Sequence, residues 1–386
     1  MMFMYEMQSS KEAEFMQKHF AKYYSANFVD SIPGVEFREF GFGVFKRKIA
    51  NRNLAFTSAK EMNLFLRNEV PLFFSYSNSY YKYPANTPMN TKEWIKADII
   101  YEFDADELGL SVPQINGVQW FAKEHLDEAK KQVFRLIDFL ENDFAFSSEG
   151  VLINFSGKAG FHVHLRSSEI QSLNKRARIE LVDYLTAQNM DYVNLGFDLD
   201  ARPISCPTNM GLWPNRIREK IKLFFEKDPK EIAKITSLSI KRSSLLVAEK
   251  EKVFDAMKNG TLLSFDAKKS KAFWQSVLDY VVLQEKVPID RQTSTDLHKI
   301  IRVPATLHGD TGLIAKEVPF EKLKEFDSFK DTIVFSSNDF VKLSISSAPK
   351  FSLGGESFGP FENVIEELPL FAAIFLIGKG AAKIIE

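Results

Sequence analysis

Two aspartates separated by a single residue, Asp104 and Asp106, stand at the end of an apolar stretch that begins at Asp98. Side chains alternate across a β-strand, so these two carboxylates and that of Glu102 are expected to share one face. Two carboxylates this close repel each other unless a positive charge lies between them. In phosphoryl-transfer sites that charge comes from a pair of divalent cations about 3.5–4 Å apart. The pattern therefore indicates a two-metal site, and the alternative is a solvated strand end that runs into a turn.

A second candidate group lies between two short apolar segments, 151–155 and 161–165, which read as strands. Between them is a turn bracketed by two glycines that carries Ser156 and Lys158. Such a turn offers backbone N–H groups, a hydroxyl and a cation together, a combination that suits a phosphate. The alternative is a plain hairpin turn. In the second strand His162 and His164 share one face, although pairs at this spacing are more often packed or exposed than metal-binding.

The third candidate group lies in the C-terminal part of the chain. Asp290 follows the strand-like segment 287–289. A serine or threonine at 294–295 can cap a helix that is expected to end near Arg302, because Pro304 disfavours helical geometry just before itself. Arg302 at the helix end and His308 in the glycine turn after it could then reach one anionic group. The alternative is that Arg302 only stabilises the C-terminus of its own helix.

The flanking sequence predicts the elements that position these residues. Hydrophobic periodicity indicates helices at 11–27, 58–69 and 124–142, and strands around 38–42, 54–56 and 72–83. Arg52 follows a basic run and precedes an apolar strand, where its guanidinium could be held against a phosphate. Residues 168–275 are rich in Lys, Arg, Ser and Leu at helical spacing, so they predict a mostly helical insertion. Further expectations are a strand at 280–283, a linker at 346–360 and a short apolar helix near the end.

Length and composition restrict the class of protein. A chain of 386 residues is too long for one compact core, so two domains, or one domain with an insertion, are expected. The net charge of −1 gives no global attraction to nucleic acid, so any such binding must use local patches. The single cysteine, Cys206, excludes an intrachain disulfide and a cysteine-rich metal site. The N-terminus has no signal-peptide pattern, and the apolar stretch 368–377 is about half of what spans a bilayer. We therefore expect a cytoplasmic protein with no membrane partner.

Taken in order and spacing, these pieces resemble the catalytic small subunit of archaeal and eukaryotic replicative DNA primases, in the archaeo-eukaryotic primase superfamily. The resemblance covers roughly residues 35–165 and 280–376, with 38–42 and 92–94 as supporting pieces. The apolar segment Leu368 to Gly380 is similar to the archaeal branch. The resemblance implies an α+β fold: a mixed α/β catalytic core on a largely antiparallel sheet, interrupted by a mostly helical subdomain. The core would comprise 1–167 and 276–386, and the insertion 168–275.

The resemblance also implies roles for the candidate residues. Two Mg²⁺ or Mn²⁺ ions would be carried by the three aspartates Asp104, Asp106 and Asp290. The phosphates of the incoming nucleotide would be held by Arg52, Ser156, Lys158, His162, Arg302 and His308. The chemistry is consistent with this, since attack of a 3′-hydroxyl on an α-phosphate needs metals at the attacking and leaving oxygens and cations around the triphosphate.

The implied activity is synthesis of short primers on a single-stranded DNA template from NTPs or dNTPs. The near-neutral charge suggests that another chain supplies part of the template grip. By resemblance that chain is the iron–sulfur large subunit of a heterodimer. Two alternatives remain: a repair or plasmid-type primase-polymerase that extends existing 3′ ends, and a degenerate subunit that only binds a nucleotide or a partner.

The sequence departs from the family pattern at two places. Archaeal relatives often carry a Cys/His zinc knuckle before the helix that begins near Leu126, but here the preceding positions give Ala122 and His125 and no cysteine. One imidazole cannot make a four-ligand structural zinc site, so no structural zinc is expected, and apolar residues of segment 108–125 should hold its shape. Many members also have an arginine beside Lys158, where Ala159 removes one possible phosphate contact.

Overall fold

The structure is a computed structural model that describes residues 10–30, 32–147, 150–265, 267–289 and 291–385. The chain divides into two compact units. The first comprises Met1–Phe134, Ser147–Ile179 and Ile289–Glu386, and the second Arg135–Phe146 and Glu180–Pro288. The division at 168 and 275 expected from sequence remains a prediction. No helix in the described part of the chain combines the length and the apolarity needed to cross a membrane.

The strands of the first unit all pair antiparallel. In chain order they are β1 Phe40–Val44, β2 Arg47–Leu54, β3 Phe73–Ser77, β4 Ser79–Tyr81, β5 Trp94–Ala97, β6 Ile99–Asp104, β7 Gln114–Ile115, β8 Val118–Gln119, β9 Val151–Phe155, β10 Gly160–Leu165, β11 Ile300–Arg302, β12 Lys316–Glu317, β13 Phe340–Ala348, β14 Phe351–Leu353, β15 Glu356–Phe358, β16 Phe361–Pro369 and β17 Ala382–Ile384.

The helices are α1 Lys11–Ala26, α2 Ala59–Glu69, α3 Lys123–Phe144, α4 Ser168–Gln171, α5 Lys175–Leu185, α6 Leu212–Phe224, α7 Pro229–Thr236, α8 Ile240–Ala248, α9 Lys250–Lys258, α10 Ala267–Glu285, α11 Arg291–Ser294, α12 Phe320–Leu323 and α13 Leu370–Lys379. Serine hydroxyls cap the first two, since Ser10 accepts the Ala13 N–H and Ser58 accepts the Glu61 N–H. Antiparallel sheets together with these helices confirm the expected α+β fold.

Two four-stranded sheets of the first unit matter most for function. Their strand orders are β11-β3-β1-β2 and β12-β9-β10-β6. In β6 the alternation expected from sequence is present: Ile99, Tyr101 and Phe103 are buried, whereas Glu102 and Asp104 on the opposite face are half-buried. Because β10 pairs with β6 in the register Gly160↔Asp104, the turn between β9 and β10 lies beside the acidic strand end.

The second unit is helical in its described part, with an aromatic core that includes Phe225, Phe273 and Trp274. The prediction of a strand at 280–283 is wrong, because these residues belong to α10. Val277, Leu278, Val281 and Val282 are all buried, and this spacing forms one face of a helix.

Two further expectations are wrong. No helix runs from 294–295 to Arg302: the short α11 ends at Ser294, and residues 300–302 form β11, whose Ile301 pairs with Tyr76 of β3. Two consecutive isoleucines fit an edge of a sheet well. The linker predicted at 346–360 is instead ordered as the end of β13 and the β14–β15 hairpin, which buries Phe351, Leu353 and Phe358.

Candidate active site

A cleft of about 310 Å³ in the first unit collects side chains from both four-stranded sheets. Its polar lining combines acids and bases: Lys48, Ser75, Glu102, Asp104, Asp106, Gln119, Ser156, Lys158, His162, Arg302 and His308. Seven of the nine site residues predicted from sequence are therefore in one place. The remaining two are Arg52 and Asp290.

The acidic side of the cleft is built at the end of β6. Asp104 is the last residue of the strand, and Asp106 lies in the single helical turn Ala105–Glu107 that follows, not on the strand as expected. Burial raises the pKa of Asp104 to about 7, and the nearby carboxylates of Glu102 and Asp106 add to the shift. Asp106 Oδ2 accepts a hydrogen bond from Gln119 Nε2 at 3.0 Å. The site thus concentrates negative charge that its own side chains only partly offset.

Glu102 is a cleft residue that was placed on the correct face by alternation but was not predicted as a site residue. Its carboxylate is paired with the ammonium of Lys299 and lies 3.7 Å from His162 Nε2. The ring of His162 is buried, which lowers its pKa to about 4, and its Nδ1 has no hydrogen-bond partner. His162 is therefore a neutral imidazole at physiological pH.

The other histidine of β10 has a structural role. His164 is fully buried, its ring is parallel to that of Tyr76, and its Nδ1 lies 3.4 Å from the Tyr76 hydroxyl. Burial lowers the pKa of His164 well below its usual value. Of the two histidines, only His162 lines the cleft.

The turn between β9 and β10 is organised by Ser156 and two glycines. Ser156 Oγ accepts the backbone N–H groups of residues 158, 159 and 160 at 3.3, 3.3 and 3.2 Å. A Cβ on Gly160 would lie 2.0 Å from Phe103 O and 2.7 Å from Asp104 Oδ1, so glycine allows the turn to lie directly against the acidic strand. Gly157 has φ +83°, and a Cβ there would lie 2.9 Å from His308 Cβ. The turn therefore fits closely against both neighbouring parts of the site.

The basic side of the cleft includes Arg302 on β11. Its Nη1 donates to Phe74 O at 3.4 Å, its guanidinium carbon lies 5.2 Å from the ring centre of Phe73, and its Nε has no partner. Burial lowers the pKa of Arg302 to about 10, so it stays a cation at neutral pH. Arg302 thus projects from a strand and does not cap a helix, which removes the alternative considered from sequence.

His308 lies in the turn after β11 and packs edge-on against Phe73. Its Nδ1 accepts the backbone N–H of Asp310 at 3.1 Å, so the proton of the neutral ring is on Nε2. Burial lowers the pKa of His308 well below its usual value. His308 can therefore donate a hydrogen bond to an anion without being charged.

Several site residues were missed from sequence. One is Asp310, whose Oδ2 accepts a hydrogen bond from Lys158 Nζ at 2.8 Å. Another is Lys48, from the basic run, which lines the cleft. Beside the cleft, Lys379 Nζ at the end of α13 donates to Gln119 O at 2.9 Å. Composition of the basic run was a signal for Lys48, but no local pattern points to Asp310 or Lys379, because their partners are distant in sequence.

Arg52 lies outside the lining of this cleft. Its Nε donates to the buried Glu39 Oε1 at 2.8 Å and its Nη2 to His298 O at 3.1 Å. Asp290 lies outside the described residues. Within the described residues, no group of three or more His, Cys, Asp or Glu side chains forms a ready metal site.

Segment 108–125, where no structural zinc is expected from sequence, is packed around aromatic residues. Trp120 and Phe121 are buried, and Trp120 contacts the rings of Phe351 and Phe375. His125 bridges the segment through the backbone, since its Nδ1 accepts the Ala122 N–H at 2.9 Å and its Nε2 lies 3.1 Å from Ser111 O.

The carboxylates of the cleft fit divalent cations. Hard cations such as Mg²⁺ and Mn²⁺ prefer oxygen ligands, which Asp104 and Asp106 supply side by side. Burial, together with the neighbouring carboxylates, raises the pKa of Asp104 to about 7, and a bound cation would favour its ionised form.

Comparison with known proteins identifies the relatives of this chain. A family profile described as DNA primase small subunit matches residues 122–320. A DNA primase small subunit PriS of Methanothrix thermoacetophila is 30% identical, with 97% of this chain and 99% of the relative aligned. Proteins of the same name from Methanococcoides burtonii and Thermoplasma acidophilum are each 28% identical, over 97% and 94% of this chain and 98% of each relative. These matches favour neither the extension-only nor the non-catalytic alternative.

Proposed function

Because the chain belongs to the DNA primase small subunit family and is the catalytic small subunit of a DNA primase, a nucleotidyltransferase of DNA replication, we propose that the cleft at the end of β6 is its active site. One observation carries this proposal. The register Gly160↔Asp104 places the glycine turn beside the acidic strand end, and both face Arg302 and His308 across one cleft. Carboxylates for metals and donors for phosphates are therefore within reach of one nucleotide.

The acidic residues have the role of metal ligands in this proposal. Asp104, Asp106 and Asp290 would hold two Mg²⁺ or Mn²⁺ ions, and no structural zinc is part of the proposal. When bound, such ions stabilise the attacking and leaving oxygens of the transferred phosphoryl group. Asp104 must lose its proton to bind a cation, and Gln119 holds Asp106 in place through its amide.

The basic residues would bind and orient the triphosphate. Arg302 supplies a fixed guanidinium whose Nε has no protein partner, and Lys158 supplies an ammonium at the turn. His308 donates from Nε2, and His162 adds a second neutral imidazole. Ser156 shapes the turn, since its Oγ accepts the backbone N–H groups of residues 158–160. Arg52 is kept as a candidate phosphate ligand, although it would first have to leave Glu39.

The family name also implies a large-subunit partner. We propose that this partner is the iron–sulfur large subunit and that the template is single-stranded DNA, with NTPs or dNTPs as substrates. The net charge of −1 supports a template grip shared between two chains. The single cysteine supports a cytoplasmic location for the reaction.

The test is primer synthesis by Asp104→Asn and Asp106→Asn variants, assembled with the large subunit on a single-stranded template without a pre-existing 3′ end. We expect each variant to lose activity by at least about a thousandfold, because a neutral amide binds Mg²⁺ poorly. The melting temperature should be unchanged or higher, because repulsion among the carboxylates is reduced. Asp255→Asn, at an exposed aspartate of α9, is the matched control. Near-normal synthesis by either cleft variant would remove this cleft from consideration.

A further inference from the structure

Positive charge accumulates on one side of the cleft beyond the predicted phosphate ligands. Burial lowers the pKa of three lysines there, and neighbouring cations lower it further for each. The strongest case is Lys379, whose pKa falls to about 7. Together with two residues already described, they form what we call the cationic wall: Lys46, Lys48, Lys158, Arg302 and Lys379.

Asp310 is the carboxylate common to this wall. It attracts Lys46, Lys48, Lys379 and Arg302 electrostatically and is hydrogen-bonded to Lys158. Among the described residues, Asp104 also offsets the charge of Lys48. The wall therefore gathers five basic side chains around one aspartate, and this carboxylate is the main charge that offsets their mutual repulsion.

The main chain at Asp310 is held from several sides. The Asp310 N–H donates to His308 Nδ1. The next residue is Thr311, whose Oγ1 donates to Gly157 O at 2.6 Å, and the N–H of Gly312 donates to His308 O. A Cβ on Gly378 of α13 would lie 2.7 Å from Asp310 C, so the turn rests directly on that helix. The carboxylate is less restrained, because its partner Lys158 is a flexible side chain and both are about one-fifth to one-quarter exposed.

The carboxylate of Asp310 and a phosphate group would compete for the same donor, the Lys158 ammonium. Both are anions that accept hydrogen bonds from an ammonium, and Lys158 offers a point charge that either can take. A phosphate that binds Lys158 must therefore replace Asp310 or lie beside it, and a second negative charge at that distance is unfavourable.

We propose that Asp310 is an internal counter-anion of the cationic wall, which a triphosphate displaces from Lys158 when it binds. Asp310 stabilises the wall when no substrate is present, and it weakens the hold on the triphosphate and on the pyrophosphate that leaves. It is thus a residue that sets phosphate affinity and release. This inference rests on the proposed function, since it takes Lys158 to be a phosphate ligand.

The alternative is that Asp310 holds Lys158 in its binding position. The two explanations predict opposite signs for the loss of the carboxylate. If Asp310 is a counter-anion, Asp310→Asn should bind phosphate groups more tightly, because Lys158 is released and net positive charge rises. If it positions Lys158, the same variant should bind them more weakly.

The experiment is titration calorimetry with inorganic pyrophosphate in EDTA, so that metal binding does not enter. We expect Asp310→Asn to lower the Kd by about fivefold to tenfold and to make it more dependent on salt. Asp310→Ser, smaller and also uncharged, gives the same test if the amide variant does not fold. The control is Asp200→Asn, which removes an exposed Lys–Asp pair of the second unit.

Thermal melting supplies a second readout. Without anion, Asp310→Asn should melt lower than wild type, because the wall has lost its counter-charge, and pyrophosphate should raise its melting temperature more than that of wild type. Suppose that wild type binds pyrophosphate and that Lys158→Met weakens this binding. An unchanged or larger Kd in Asp310→Asn and Asp310→Ser would then overturn this inference but leave the phosphate site in place. Absence of any Lys158-dependent binding in wild type would overturn the phosphate site of the proposed function as well.

Discussion

Gly160→Ala is the substitution whose effect follows most directly from the geometry of the site. Gly160 begins β10 and pairs with Asp104, the last residue of β6. An added Cβ would lie 2.0 Å from Phe103 O, whereas real Cβ contacts are essentially never shorter than 3.0 Å. The contact is with backbone, which cannot rotate away as a side chain can, so β6 and β10 must separate locally by about 1 Å.

This separation has consequences for both stability and catalysis. Overpacking of this kind costs about 1–3 kcal/mol, which corresponds to a fall of several degrees in melting temperature. The strained point is next to Asp104 Oδ1, 2.7 Å from the added carbon, so the carboxylate must move as well. A displacement of about 1 Å at a reacting centre can cost about a hundredfold in rate. We therefore expect a large fall in kcat together with a modest fall in stability.

Primer synthesis should be measured well below the melting temperature of the variant, so that loss of folded protein does not contribute. Gly150→Ala is the matched control, because a Cβ there meets nothing within 4 Å and the backbone is not left-handed. It should leave rate and melting temperature unchanged. Wild-type kcat and stability in Gly160→Ala would show that β6 and β10 are not as close at Asp104 as the structure has them.

Two further predictions concern protonation. For Lys379, the unfolded chain binds a proton near pH 10.5 and the folded chain only near 7, so stability falls as pH decreases between these values. Lys379→Met should therefore raise the free energy of unfolding at pH 7 by roughly 2–4 kcal/mol and have less effect at pH 9.5. Urea unfolding at the two pH values measures this difference, and a variant less stable than wild type at pH 7 would contradict the prediction. For Asp104, a pKa near 7 leaves about a tenth of the carboxylate ionised at pH 6. The Kd for Mn²⁺, measured by direct titration, should therefore be about tenfold higher at pH 6 than at pH 8. Asp104→Asn should lose this dependence, and a flat wild-type Kd would count against Asp104 as a ligand.

The parts of the site that depend on neighbouring residues were predictable from sequence. Alternation along β6 correctly separated the buried aromatic face from the face with Glu102 and Asp104. The glycine turn and its flanking strands were also predicted, because turn chemistry and strand periodicity are local properties. Family resemblance then indicated that distant motifs belong to one site, and seven of the predicted residues line one cleft, although their roles stay a prediction.

Tertiary structure alone decided where the remaining groups lie. Residues 300–302 became β11 and not a helix, because their hydrogen bonds are satisfied by β3, more than 200 residues earlier. The pairing of Lys158 with Asp310, 152 residues apart, has no local signature, and neither has the contact of Lys379 with Gln119. Local sequence carries backbone preference and the pattern of burial, whereas the partner of a charged side chain is set by which strands and turns are brought together when the chain folds.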